Sequence, residues 1–245
     1  MDHVTLCIDI GATSMKAATV SKTQTLISEI RSLKTQAPLP PERLVDRIVS
    51  LSRQFEGFDR VGIGFPGEVF DGIVSDPSNL ARIKAGQDDR EIRRMWEQAP
   101  LRTLLIDALC LPIALANDAD VAALGCCQGL GLEVTITLGT GIGCGRTQDG
   151  RLLEHQEIHD VVARPHTRYD ELLGTKAMLA MGEDYWSKDL ADVVAEILEL
   201  HQPEKIYLVG GNAPRLNRRV LEPFLDRVWV HREPMGILGG SRLFD

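Results

Sequence analysis

Apolar residues alternate at Val4, Leu6, Ile8 and Ile10, a spacing that predicts a strand over His3 to Ile10. The pattern then breaks into a polar bend holding Gly11, Thr13 and Ser14, with Lys16 shortly after. Met15 to Val20 turns apolar again, and periodicity alone does not separate a returning strand from the first turn of a helix. Leu26 to Leu33 reads as a third strand. After Pro38, Pro40 and Pro41, the spacing of Leu44, Val45, Ile48 and Leu51 predicts a helix over Glu42 to Phe55. Arg60 to Phe65 is a short apolar strand closed by Pro66-Gly67, and Val69 to Ala85 has the composition of a loop.

The second half repeats the alternation. Residues 89 to 110 carry helical spacing interrupted at Pro100, and Pro112 to Ala116 reads as a strand. Asp118 to Gln128 is a helix of small apolar residues, and Val134 to Leu138 is a strand running into a glycine-rich turn. Helices are expected over Asp170 to Met181, Leu190 to Leu200 and Leu216 to Val228, with a last short one over Met235 to Leu243. Between them Ile206 to Val209 is a strand ended by Gly210-Gly211. Strands alternating with helices favour an α/β architecture. IDIGATSMKA also echoes ITLGTGIGCG 128 residues later, which either a duplicated two-lobed chain or chance would produce.

Composition narrows the class. A length of 245 residues allows one large domain or two modest lobes. The net charge of -8 argues against a general nucleic-acid surface or an anionic membrane face. The N-terminus has no signal-peptide pattern, and no apolar run reaches membrane-spanning length. Five cysteines at irregular spacing, with no C-x-x-C pair, argue against a disulfide framework or a thiolate zinc site. A reduced, cytoplasmic setting is expected.

Three turns carry candidate chemistry. In Gly139-Thr140-Gly141-Ile142-Gly143, missing side chains let backbone N–H groups approach an anion, and Thr140 adds a hydroxyl. The spacing is neither a dinucleotide fingerprint nor a P-loop, and a plain glycine-rich hairpin is the competing reading. Asn117-Asp118 follows a strand and opens a helix, so Asp118 is either a helix cap or a carboxylate that takes a proton from an attacking hydroxyl. Gly210-Gly211 either makes a tight turn or lets a flat ring lie against the backbone. His155 and His159 would share a face if they lay on one helix, although the stretch lacks the H-E-x-x-H order. Two arginine trios, at 90, 93, 94 and at 215, 218, 219, read as solvated faces or as polyanion contacts.

Taken in order, these stretches resemble the sugar kinases of the ROK family, within the actin/hexokinase ATPase superfamily. The first turn, Asp9 to Lys16, is similar to the family's first phosphate motif, and Gly64-Phe65-Pro66-Gly67 to its P-G stretch. Asn117-Asp118-Ala119-Asp120 matches its N-D motif, Leu138 to Gly143 its second phosphate motif, and Val209-Gly210-Gly211 its adenosine motif. The resemblance covers nearly the whole chain. It implies a two-lobed ribonuclease H-like (actin-like ATPase) α/β fold with a cleft between lobes. The small lobe would be 1–110, with 236–245 as the candidate segment to complete it, and the large lobe 111–235.

The resemblance also implies roles. Asp118 would be the general base, with Asn79, Asn117 and Glu157 on the sugar. Asp9 would organise Mg²⁺ through water, and Gly11, Thr13, Lys16, Gly139, Thr140, Gly141, Gly210 and Gly211 would face the phosphates and nucleotide. The donor would be ATP, polyphosphate or both, the acceptor glucose at its 6-hydroxyl, and the assembly a homodimer. Three departures stand out. Ala12 replaces a glycine, residues 157–160 read Glu-Ile-His-Asp, and no cysteine-rich zinc motif lies between His159 and Leu173. The last is similar to the polyphosphate-dependent glucokinase branch, so no zinc is expected. No helix-turn-helix precedes the first strand, so DNA is not an expected partner. A sugar-binding or sensing protein without efficient chemistry is the second class the sequence allows.

Overall fold

The computed structural model describes residues 3–11, 13–83, 87–162 and 168–245. Two compact units divide the chain: Met1–Val121 with Gly236–Asp245, and Ala122–Met235.

The first unit is built on strands β1 (Val4–Ile10), β2 (Ser14–Ser21) and β3 (Arg31–Lys34), helix α1 (Pro41–Ser52) and strand β4 (Arg60–Phe65). A hairpin of β5 (Glu68–Phe70) and β6 (Ile73–Asp76), helices α2 (Arg90–Trp96) and α3 (Leu101–Leu109), and strand β7 (Ile113–Asn117) follow. The sheet order is β3-β2-β1-β4-β7. β1 and β2 pair antiparallel, whereas β1, β4 and β7 run parallel. Pro41 starts α1 with its missing N–H at no cost, and Leu44, Ile48 and Leu51 on one face are fully buried against the sheet's core. Each such side chain contributes about 1.5–3 kcal/mol by leaving water. Trp96 is fully buried and satisfies its indole N–H on the Leu39 carbonyl at 2.8 Å.

Helix α4 (Asp118–Cys126) carries the chain into the second unit, whose strands are β8 (Leu132–Leu138), β9 (Ile142–Gln148) and β10 (Arg151–Leu152). Helices α5 (Ile158–Val161), α6 (Tyr169–Leu173), α7 (Thr175–Met181) and α8 (Glu183–His201) lead to β11 (Lys205–Val209) and β12 (Val228–Val230). α9 (Met235–Leu238) starts the return to the first unit. The second sheet has the order β10-β9-β8-β11-β12, with β8, β11 and β12 parallel. Its core holds Val134, Ile136, Leu138, Trp186, Leu190 and Ile197, all but fully buried.

Several expected elements differ. The strand expected over Leu26 to Leu33 is only Arg31–Lys34, and the apolar residues before it lie on a loop that leaves Ile27 56% exposed. The expected loop from Val69 contains the β5–β6 hairpin, turned by Asp71 (φ 47°) and Gly72 (φ 80°). The single helix expected over Asp170 to Met181 is two, because Gly174 is extended between α6 and α7. The helix expected over Leu216 to Val228 is a 3-10 stretch, Arg218–Phe224, with Pro223 inside it. The final helix is four residues followed by a 3-10 turn over Gly239–Phe244.

Candidate active site

The carboxyl ends of the parallel strands gather the candidate residues of the first unit, the usual place for a site in such sheets. Asp9 is the last residue but one of β1, in register with Lys16 on β2 and Gly64 on β4. Burial raises its carboxyl above the ordinary carboxylate range, and the Lys16 charge draws it partly back. At the start of α9, a Cβ on Gly236 would stand 3.5 Å from Asp9 Cγ, so that backbone also closes on the carboxylate. Beyond Asp9 the chain turns tightly, with the Gly11 N–H donating to the Ser14 carbonyl at 3.1 Å. Thr35, fully buried, fixes this turn: its hydroxyl donates to the Gly11 carbonyl at 2.6 Å and its N–H to the Thr13 carbonyl at 2.9 Å. Thr13 and Lys16 are exposed. Ala12 lies outside the described residues.

Two strands away, β7 runs directly into α4. The Asn117 side-chain oxygen accepts the Ala119 N–H at 2.8 Å, so the cap of α4 is Asn117 and not Asp118. The Asn117 amide donates to the Gly67 carbonyl at 3.1 Å and ties the helix start to the P-G loop. Asp118 takes the first helical position, half-buried. A Cβ on Gly64 would stand 3.3 Å from Asp118 Cα, so Gly64 lies between Asp9 and Asp118. The two acidic residues are therefore about two strand spacings, ~10 Å, apart along the edge. Gly67 has its own constraint, since a Cβ there would collide with the Asp76 carbonyl oxygen. Asp76 in turn accepts the Ser78 N–H at 2.7 Å, one residue before Asn79. Arg93 braces both ends of this segment, with Nη1 3.3 Å from Asp76 Oδ1 and Nε 2.7 Å from Asp88 Oδ2. One chain of contacts thus runs from Asn117 through Gly67 and Asp76 to the backbone beside Asn79.

In the second unit Gly139, Thr140 and Gly141 join β8 to β9. The Gly139 N–H donates to the Gly141 carbonyl at 3.0 Å, the Ile142 N–H to Asp170 Oδ1 at 2.7 Å, and the Gly143 N–H to Thr137 Oγ1 at 3.1 Å. The N–H groups of Thr140 and Gly141 have no acceptor among the described residues. At 141 a Cβ would strike the Asp170 carboxylate, so a side chain there would push that carboxylate off the Ile142 N–H. Gly210 (φ 98°) needs its conformation, and a Cβ there would lie 2.5 Å from the Leu138 oxygen. Gly211 differs: no atom lies within 4 Å of where its Cβ would be, so packing gives no reason for that glycine. The Gly139 carbonyl is held from two sides, by Thr175 at the start of α7 and by Asn212 after the glycine pair.

Glu157 stands at the start of α5 and is exposed. The His155 ring, its Nε2 3.6 Å from Glu157 Oε1, holds that carboxyl below its ordinary range. His155 and His159 do not share a helical face, because α5 begins only at Ile158. Among the described residues no group of three or more His, Cys, Asp or Glu side chains is placed to hold a metal ion. Asp9 supplies one carboxylate, the kind of sparse protein donor that Mg²⁺ would need if it kept most of its water and bound chiefly through substrate phosphates. Among the described residues no helix is long and apolar enough to cross a membrane.

Residues 5–158 match the family model described as the ROK family. The chain belongs to the ROK family. Among ROK relatives, a polyphosphate glucokinase of Mycobacterium leprae is 26% identical over 93% of this chain and 68% of its own length. An N-acetylmannosamine kinase of Escherichia coli is 33% identical over 61% of this chain and 49% of its own. The crystal structure of an inorganic polyphosphate/ATP-glucomannokinase from Arthrobacter sp. strain KM superposes with a TM-score of 0.78 at 24% identity, covering 98% of this chain and 97% of that one. The fold is therefore the actin-like ATPase fold of ROK kinases. The enzyme class is phosphoryl transfer to a sugar hydroxyl.

The residues that brace the glycine turns of this ROK chain were not among those the sequence singled out. Thr35, Asp170 and Thr175 act across 24 to 36 residues of sequence, and no local pattern marks them. Asn212 stood beside a recognised glycine pair, where an amide following Gly-Gly was the available signal.

Proposed function

We propose that this ROK protein is a hexose kinase in which Asp118 is the general base. The observation that carries the reading is the placement of Asp118. It begins α4 at the carboxyl ends of the parallel strands, across Gly64 from Asp9, with the cap duty taken by Asn117. In the step inferred, Asp118 accepts the proton of the sugar hydroxyl as that oxygen attacks the terminal phosphorus of the donor. The bond from that phosphorus to its leaving phosphate breaks, and the leaving group carries away the electron pair. Mg²⁺, when bound, supplies neutralising charge to the donor phosphates, with Asp9 as its protein anchor through water. Thr13, Lys16, Thr140, the close backbone of the Gly11 turn and the N–H groups of Thr140 and Gly141 serve the phosphates. Gly211, whose missing side chain has no packing cause, supports a flat group against the Gly210-Gly211 backbone.

Asn79, Asn117 and Glu157 are assigned to the sugar. Glucose at its 6-hydroxyl is the acceptor, supported by a relative named as a polyphosphate glucokinase. ATP, inorganic polyphosphate or both are the donors, since the Arthrobacter enzyme is named for both. Five free cysteines suit a reduced, cytoplasmic setting. A homodimer is the proposed assembly.

Asp118→Asn tests the assignment. It keeps shape and removes the proton acceptor, so kcat should fall about 10²–10⁴-fold while calorimetry finds sugar binding intact. Turnover near that of the unaltered enzyme would remove Asp118 from the mechanism.

A further inference from the structure

The second phosphate turn is held by its carbonyls. Thr175 donates to the Gly139 carbonyl twice, through its N–H at 3.0 Å and its hydroxyl at 2.7 Å. The same N–H reaches the Thr140 carbonyl at 3.3 Å. Asn212 Nδ2 donates to the Gly139 carbonyl and to Thr175 Oγ1, both at 2.9 Å. The Asn212 N–H also donates to the Leu138 carbonyl at 3.0 Å, anchoring the residue to the end of β8. The orientation of the Asn212 amide follows from these partners, because the flipped amide would set its oxygen against the Gly139 oxygen. Asn212 is 7% exposed, and a Cβ on Gly174 would collide with the Thr140 carbonyl, so the arrangement leaves little slack.

Peptide planarity converts this into direction. A carbonyl and the N–H of the next residue belong to one planar trans unit and point opposite ways. Fixing the Gly139 oxygen therefore fixes the Thr140 N–H, and fixing the Thr140 oxygen fixes the Gly141 N–H. Those are the two N–H groups of the turn without an acceptor among the described residues. Successive N–H groups held on one side form an anion-binding concavity.

We propose that Thr175 and Asn212 are positioning residues that aim the Thr140 and Gly141 N–H groups at the phosphates of the donor. The proposal rests on the kinase reading above for the identity of the ligand. The pair touches neither sugar nor transferring phosphorus and acts only through the turn. Because the phosphates are common to ATP and polyphosphate, both donors feel the effect.

The test compares Thr175→Val, which keeps the branched shape but loses the hydroxyl, with Thr175→Ser, which restores it, and Asn212→Asp, which puts an oxygen against the Gly139 carbonyl. For Thr175→Val and Asn212→Asp, KM for the donor should rise about tenfold or more while KM for the sugar stays within about twofold. Thr175→Ser should lie within about twofold of the unaltered enzyme for both. A donor KM unchanged in Thr175→Val, or donor and sugar KM rising together, overturns the proposal. The upward shift in Tm caused by tripolyphosphate with Mg²⁺ is read in parallel and needs no turnover. It should be present in the unaltered protein and in Thr175→Ser, and lost in Thr175→Val and Asn212→Asp. A shift of equal size in all four proteins overturns the proposal. If the unaltered protein transfers no phosphate from any donor, the kinase reading fails, and this binding comparison still decides the positioning role.

Discussion

Tyr207→Phe removes one oxygen atom from the interior of the second unit, and its cost follows from what that oxygen does. Tyr207 is fully buried on β11 and donates its hydroxyl to Glu133 Oε1 at 2.7 Å. Glu133, 1% exposed on β8, also accepts the N–H groups of Gln128 at 2.9 Å, Gly129 at 2.8 Å and Leu130 at 3.1 Å. The carboxylate thus gathers the turn after α4 onto the sheet. A hydrogen bond to a charged group contributes about 1.5–3 kcal/mol, and the three remaining donors keep Glu133 ionised, so the loss should be of that size near pH 7. For a chain of this length it corresponds to about 3–12 °C in Tm.

The pH dependence has a definite sign. Burial pushes the Glu133 carboxyl upward, but the Tyr207 hydroxyl and the three N–H groups outweigh it, and the folded value lies below the ordinary 4.5. A carboxyl lowered by folding stabilises fully above its unfolded value, and that contribution is lost as pH falls through the folded value. The difference between the unaltered protein and Tyr207→Phe should therefore be largest near neutrality and shrink as Glu133 becomes protonated. Urea titrations followed by circular dichroism at several pH values between about 7 and 4 measure it. A difference below about 0.5 kcal/mol at neutrality, or one that grows on acidification, would refute the reasoning.

Two further outcomes are expected in the first unit. Gly67→Ala sets a methyl against the Asp76 carbonyl and should cost about 1–3 kcal/mol of stability while raising KM for the sugar, because the Asn117 side-chain amide is bonded to the Gly67 carbonyl and Asp76 holds the Ser78 N–H beside Asn79. Thermal melts with sugar-saturation curves check it, and an unshifted KM would show that the loop does not serve the sugar. Arg93→Lys cannot reach Asp76 and Asp88 together, so KM for the sugar should rise about 3- to 10-fold with KM for the donor unchanged. Steady-state kinetics with each substrate varied would expose a general loss instead, as an equal rise in both constants.

What the sequence revealed follows from the range of the physics. β1 and β8 were legible because alternation is local and their apolar faces are buried. The stretch around Ile27 and Ile30 carries the same chemistry without a partner to cover it, and burial is a property of the fold. The β5–β6 hairpin did have a local signal, Asp71-Gly72, which the surrounding prolines and glycines obscured. Pro223 likewise marks where a helix over Leu216 to Val228 could not persist. In the candidate site, Gly210 was visible because its turn needs a positive φ, a requirement that is local to the sequence. The cap on α4 fell to the neighbour of the expected residue, since helix entry is decided by backbone angles at one position.

The last ten residues bear on how the chain is made. Ile237 packs with Cys7, Ala18 and Val20, and Arg60 lies over the Phe244 ring at 4.6 Å. Glycine at 62 and at 240 lets the two backbones touch. The first unit therefore shares its interior with residues that leave the ribosome after the whole second unit has been synthesised. Its sheet can pair early, but its back remains uncovered until then. For that interval the face carrying Cys7, Ala18 and Val20 lacks its contact with Ile237, so the first unit is still incomplete while the second is being made.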